Sequence, residues 1–208
     1  MSKHLKQLFT DSNVVQRVKD KMPDLFQLAE ADSSRAGKIG MEVGSVRERI
    51  IIALLIYKFG EENVKTDIPI TESEVDAVLF NDPISIKSIS GSLAGVKLIW
   101  TVDPKKVLEF SKKYRPETDM LLVNINWGET SAFYYFPKES QTRVFKKLGA
   151  KRYLKLPKRG TNPRGVEMTK KAVELLTKDE GALSIDISWT RREVKHLIYD
   201  RWVELWKN

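Results

Sequence analysis

The sequence predicts an α/β fold, a central mixed β-sheet flanked by helices and preceded by N-terminal helices. Three observations carry that expectation. Runs rich in β-branched, aliphatic and aromatic residues at 75–80, 84–89, 96–102, 120–127, 131–136 and 182–189 have strand length and are bounded by turn residues. Stretches with apolar residues at helical spacing are interspersed with them. One segment, 50–57, is apolar all round, as suits a helix packed inside a fold. A chain of 208 residues can bury one good core, so a single domain is expected.

In chain order, 2–31 reads as two or three short helices. Asp11 or Ser12 caps the run through Val18, and Pro23 suits a first helical turn ahead of Leu25, Phe26 and Leu28. A loop containing Ser and Gly follows at 32–44. The strongest helix is 45–59, opened by a capping box, Ser45-Val46-Arg47-Glu48, and stopped by Gly60. Glu48 therefore has two candidate jobs, one in the cap and one in chemistry, since it lies one turn into a buried helix. Beyond 89 come a turn at 91–95, a strand at 96–102 and a helix begun by Asp103-Pro104 that runs to about Lys113. Strands 120–127 and 131–136 extend the central sheet, and a helix covers 141–148. An amphipathic helix at 167–178, a strand at 182–189 and a helix at 191–207 complete the chain. In that last helix Leu197, Ile198, Trp202, Leu205 and Trp206 form an apolar stripe, suited to core packing or to a dimer interface.

The segment 71–88 organises the rest. Its two runs flank Asn81-Asp82-Pro83, the pattern of an antiparallel hairpin. A symmetric loop of two or four residues sets Asp76 across from Lys87. Pro83 has no N–H to close the tightest turn, so the four-residue loop is expected. Side-chain alternation puts Glu74, Asp76, Ser85 and Lys87 on one face. An exposed Asp–Lys pair would contribute only about a few tenths of a kcal/mol and imply no chemistry. Val78, Phe80 and Ile89 on that same face imply burial instead.

Composition narrows the chemistry. With 41% hydrophobic and 31% charged residues the chain is too polar for a membrane protein; its longest apolar run is 50–57 and no signal-peptide pattern opens it, so a cytoplasmic protein is expected. There is no cysteine, and His4 and His196 are the only histidines. Disulfide frameworks, cysteine nucleophiles, His-based triads and multi-histidine metal sites are therefore disfavoured, and a metal would be held by oxygen, which favours magnesium over zinc. The net charge of +8 suits a polyanionic partner.

Two loops add to that. The first holds Arg35 and Lys38, then Met41 between Gly40 and Gly44; Met41 is either a loop residue tucked into the core or a wedge between DNA bases. The second, 151–165, has six basic residues and no acidic one. Tyr153, Thr161 and Asn162 place stacking and hydrogen-bonding groups among its arginines, which tilts it from a solvated loop toward a DNA-reading one.

An aspartate and a lysine on adjacent strands, with an acidic residue from a buried helix, are what metal-assisted phosphodiester hydrolysis needs. Asp76, then Ser85-Ile86-Lys87, preceded by Glu48, resembles the core of the PD-(D/E)XK nucleases. Val75 stands where that pattern has Pro, and Ser85 where it has an acidic residue; Glu48 or Glu74 is placed to compensate. With the basic chain and the loop 160–168, most of the sequence is similar to type II restriction endonucleases of the ThaI type. The resemblance implies one nuclease domain over 1–208, with a restriction-endonuclease-like core at 45–136, an N-terminal helical and DNA-contacting part at 1–44, and a recognition loop with C-terminal helices at 137–208. It also implies Mg2+-dependent cutting of double-stranded DNA at a short palindrome of G and C, CGCG, by a homodimer that has a cognate DNA methyltransferase as companion. On this resemblance Asp76, Glu48 and the Ile86 carbonyl hold the metal, Ser85 hydrogen-bonds a metal-bound water and Lys87 assists attack. Met41, Arg35, Lys38, Lys158, Arg159, Asn162 and Arg164 are the candidate DNA contacts.

Two rival readings use the same residues. A structure-selective nuclease with this core, such as a junction resolvase, would cut without sequence preference. A non-catalytic DNA-binding protein would carry the hairpin charges merely as a pair.

Overall fold

Asp11 ends one helix and starts the next: it follows α1 (Lys3–Thr10), and its carboxylate caps α2 (Ser12–Asp32) by accepting from the N–H groups of Asn13 and Val14. The computed structural model that shows this describes residues 2–35, 38–40, 42–69, 74–100, 103–157, 165–193 and 200–207. Pro23 lies inside α2 instead of opening a helix of its own. The buried row Val14, Val18, Met22 and Phe26 runs past it at i, i+4 spacing, and that packing outweighs the hydrogen bond a proline forfeits.

A short hairpin, β1 (Ser34–Arg35) and β2 (Lys38–Ile39), leads to α3 (Val43–Phe59), which stops at Gly60 with φ 89°. The expected capping box is absent. The helix begins ahead of Ser45, which therefore sits inside it, and no side chain caps its start. Nor is 50–57 buried all round: Ile51 and Leu55 are fully buried while Tyr57 is 60% exposed.

The strands β3 (Val64–Lys65), β4 (Ala77–Leu79), β5 (Asp82–Ser90), β7 (Asp119–Ile125), β8 (Thr130–Phe136) and β11 (Leu183–Ser188) form one sheet in the order β11-β8-β7-β5-β4-β3. It is mixed, because β5 and β7 are parallel and the other pairs antiparallel. Central β7 is buried along its whole length, with Leu121, Val123 and Ile125 facing one core and Met120 and Leu122 the other. Helices α1, α2 and α3 close the first face through Leu5, Leu8, Phe26 and Leu55.

The second face is covered by α4 (Pro104–Lys113), α5 (Lys138–Leu148), α6 (Ala150–Tyr153), α7 (Lys170–Leu176) and a small separate sheet. That sheet has the order β6-β10-β9, from β6 (Val96–Ile99), β9 (Leu154–Lys155) and β10 (Val166–Met168). The expected strand at 96–102 thus belongs to this second sheet, and one expectation is corrected: 167–178 is a strand followed by a helix, with Thr169 accepting from the Ala172 N–H as the cap between them. Tyr153 is fully buried against Tyr114 and Phe145, so it offers no ring for a base to stack on.

The last helix is described as α8 (Asp200–Lys207), and residues 191–193, where it was expected to begin, are not helical; Leu205 and Trp206 are 61% and 90% exposed, so these two do not pack in the core. Among the described residues no helix is long and apolar enough to cross a membrane.

Candidate active site

The hairpin of β4 and β5 turns at Phe80 and Asn81, both left-handed with φ 48° and 77°, a pair that matches a two-residue type I′ turn. Leu79 closes it against Asp82, and Val78 faces Pro83. The turn is thus centred one residue earlier than expected, and the four-residue loop does not form. Opposed pairs alternate between exchanging and not exchanging backbone hydrogen bonds, so Pro83, one step from the closing pair, loses nothing by lacking an N–H. The register slips by two over the paired residues, Ala77 facing Ile84, and just beyond them the Asp76 N–H donates to the Ile84 carbonyl at 2.9 Å, so Asp76 sits at the end of the pairing with its carboxylate still on the Ser85 and Lys87 side.

Lys87 still reaches Asp76 along the diagonal. Asp76 Oδ2 accepts from the Ile86 N–H at 2.6 Å, from Lys87 Nζ at 2.8 Å and from Ser85 Oγ at 3.4 Å. The side chains of Asp76 and Lys87 are each 17% exposed, so this is a largely enclosed pair and not the surface pair of little consequence. Parallel pairing of Ser85 with Met120 and Lys87 with Leu122 anchors β5 to the most buried strand of the sheet. The pair therefore stands on rigid backbone.

Glu48 enters from α3, which packs against β5. Its neighbour Arg47 is 4% exposed and bonds Glu30 at 2.5 Å, while Glu30 also accepts from Trp127 Nε1 at 2.9 Å and Arg191 at 2.6 Å. That buried network fixes the rotation of α3, and Glu48, one residue further round the helix, faces the cleft that holds Asp76. Of its two candidate jobs the cap is not made, and the side chain lines the cleft. Burial pushes its carboxyl up and the charge of Asp76 adds to the rise, against Lys87 and Arg49. Burial also raises the Glu74 carboxyl, to about 7, with Glu117 and Asp76 adding and Lys87 opposing.

The cleft measures about 870 Å³. Glu48, Asp76, Ile86 and Lys87 line one side, and Lys97, Trp100 and Glu167 come from the small sheet and its border. Sequence reasoning missed the second group because it assigned the strand at 96–102 no partner and placed Glu167 in a helix. Among the described residues no cluster of three His, Asp or Glu side chains is assembled for a metal. Asp76 and Glu48 are nevertheless two hard oxygen donors whose negative charges oppose each other, a set that suits a divalent cation such as magnesium.

The other candidates divide in two. Arg35 pairs through its backbone with Lys38 in the β1–β2 hairpin, and Lys38 is exposed. Met41, Lys158, Arg159, Asn162 and Arg164 lie outside the described residues.

A six-stranded mixed sheet between helical layers, with an acidic cleft opening over its hairpin, defines a nuclease of the restriction-endonuclease fold. A solved structure described as a restriction endonuclease in complex with substrate DNA superposes with a TM-score of 0.92, at 53% identity over 99% of both chains. The family model for restriction endonuclease ThaI matches residues 8–208. The chain belongs to the ThaI restriction endonuclease family and is a site-specific deoxyribonuclease. No curated protein matches it.

Proposed function

We propose that this enzyme hydrolyses phosphodiester bonds in double-stranded DNA at CGCG, a short palindrome of G and C, with magnesium and as a homodimer, as a type II restriction endonuclease. The observation that supports it most is the Asp76 carboxylate, bonded to the Lys87 ammonium at 2.8 Å on a rigid hairpin and sharing its cleft with Glu48. Asp76, Glu48 and the Ile86 carbonyl are the residues that would hold the metal. When bound, magnesium supplies positive charge to the phosphate and makes water a better nucleophile. Lys87 places an ammonium where negative charge develops during attack, and Asp76 keeps it there. Ser85, only 2% exposed, holds a hydroxyl beside the same carboxylate and helps fix its orientation. Arg35, Lys38, Met41, Lys158, Arg159, Asn162 and Arg164 contact the DNA, and arginine suits guanine because its fork matches O6 and N7. A palindrome presents one half-site twice, which a two-fold dimer matches. Such an enzyme works in the cytoplasm beside a DNA methyltransferase that protects the host's own sites.

Plasmid DNA incubated with the protein and magnesium tests the proposal. Discrete bands that end at CGCG are expected, and chelation should abolish them. Nicking confined to branched DNA would point to a junction-resolving enzyme, and no cleavage with retained binding to a DNA-binding protein.

A further inference from the structure

Trp100 stands on the wall of the cleft with 63% of its surface exposed, whereas Trp189 is wholly buried in the core. An indole left in water forgoes its burial, so a large exposed ring inside a functional cleft marks a contact surface. Lys97 lies over it, with Nζ 3.7 Å from the ring centroid. Lys97 also faces Glu167 across the strand pair, yet the Glu167 carboxylate is met by Lys155 Nζ at 3.0 Å, while the Lys97 ammonium rests on the indole.

The backbone beneath this pair is fixed. A Cβ at Gly95 would come within 2.7 Å of the Met168 carbonyl oxygen, and one at Gly165, where φ is 114°, would overlap the carbonyl oxygen of Ile99. Both ends of β6 are thus pressed against β10 and its approach, so Trp100 leaves a rigid strand. Charge adds a direction. The wall with the catalytic pair also carries Glu42 and Glu48, which repel phosphates, and Lys97 brings a cation to the far side of the same cleft.

We propose that Lys97 and Trp100 form a docking platform for the deoxyribose–phosphate backbone of duplex DNA, the ammonium pairing with a phosphate and the indole packing on the adjacent sugar. A cation beside an apolar face matches the alternation of phosphate and sugar along a strand, and the contact carries no sequence information. It holds the strand against the wall opposite Asp76 and Lys87. The proposal rests on the cleft being the DNA-cleaving site.

Fluorescence anisotropy with short labelled duplexes, with and without CGCG, in the absence of divalent cations, tests it. Lys97→Ala should loosen both duplexes by the same factor, about fivefold to tenfold at low salt, and flatten the dependence of log Kd on log salt by about one. Trp100→Ala should loosen both by about tenfold with an unchanged salt slope, and Trp100→Phe should recover most of that loss. Melting temperatures near wild type will show that the variants fold, as expected for an exposed ring. Wild-type affinity in both alanine variants would overturn the platform, and so would a loss confined to the CGCG duplex. If wild-type protein cuts DNA while these variants bind normally, only the platform fails; if wild-type protein neither binds nor cuts, the nuclease assignment of the cleft fails with it.

Discussion

Asp76 gathers three donors from β5, and only one of them, the Lys87 ammonium, carries charge. Asp76→Asn keeps the shape and removes the negative charge, while Lys87→Ala removes the cation. Each is expected to lower magnesium-dependent cleavage by at least about a hundredfold in single-turnover assays. Binding of cognate DNA should survive Lys87→Ala and tighten in Asp76→Asn, where a carboxylate no longer faces phosphate. Ser85→Ala should cost about tenfold or less, since a neutral hydroxyl supplies one hydrogen bond. Cleavage at the wild-type rate by both charge variants would remove this hairpin from the mechanism. Glu74 gives a second check at this scale. Its carboxyl ionises at about 7 in the folded protein against 4.5 for the ordinary group. Below 4.5 it is protonated in both states; between 4.5 and 7 the unfolded chain releases the proton first, so the stability it contributes is lost as pH rises through about 7. Glu74→Gln should therefore gain on wild type across that window, by up to about 2 to 3 kcal/mol, in urea unfolding followed against pH. A constant difference between the two proteins would show that Glu74 is solvated.

At the scale of elements, the two-residue turn decides where Asp76 sits. Phe80 is an aromatic residue held left-handed, and it packs on His4, with ring centroids 4.1 Å apart, and edge-on to Phe59. That contact offsets backbone strain. Asn81 tolerates its φ of 77° better than alanine would, so Asn81→Ala is expected to destabilise the fold by about 1 kcal/mol and Asn81→Gly to be close to neutral, as denaturant midpoints can measure. Equal midpoints for all three would mean the turn is not strained. The turn also marks the limit of what local sequence conveys. Face parity is local, and a slip of two residues preserves it, so Glu74, Asp76, Ser85 and Lys87 were legible as a group while their register was not. The helix at 104–113 was legible to the residue, because the Asp103 cap and Pro104 are neighbours in sequence. The start of α3 was not. Ser45 and Glu48 match a capping box, but the Arg47–Glu30 bond and packing on β5 fix that helix from outside its own sequence. The wall of Lys97, Trp100 and Glu167 was hidden for the same reason, since β6 and β10 meet only after α4, α5 and two strands of the central sheet have intervened.

For the whole molecule, net charge and exposed apolar surface ask for different partners. The charge of +8 suits DNA. The apolar surface lies elsewhere: a groove of about 280 Å³ between α2 and α3 exposes Leu25 and Tyr57, and α8 exposes Val203, Leu205 and Trp206. The exposed apolar side chains of α8 call for a surface to pack on. A second copy of the chain supplies such a surface and also meets the symmetry of a palindromic site. Light scattering is therefore expected to give twice the 23.9 kDa chain mass, both free and on a CGCG duplex. Trp206→Glu, which sets a charge on a ring that is 90% exposed, should raise the dimer dissociation constant by about tenfold or more if that ring is buried between copies. The same substitution should leave the melting temperature of a dilute monomer unchanged, because the ring contributes nothing to the core of its own chain. A monomer's mass for the wild-type protein, with and without DNA, would defeat the dimer; a dimer untouched by Trp206→Glu would move the interface from α8 to the α2–α3 groove, where Tyr57→Glu is the corresponding test.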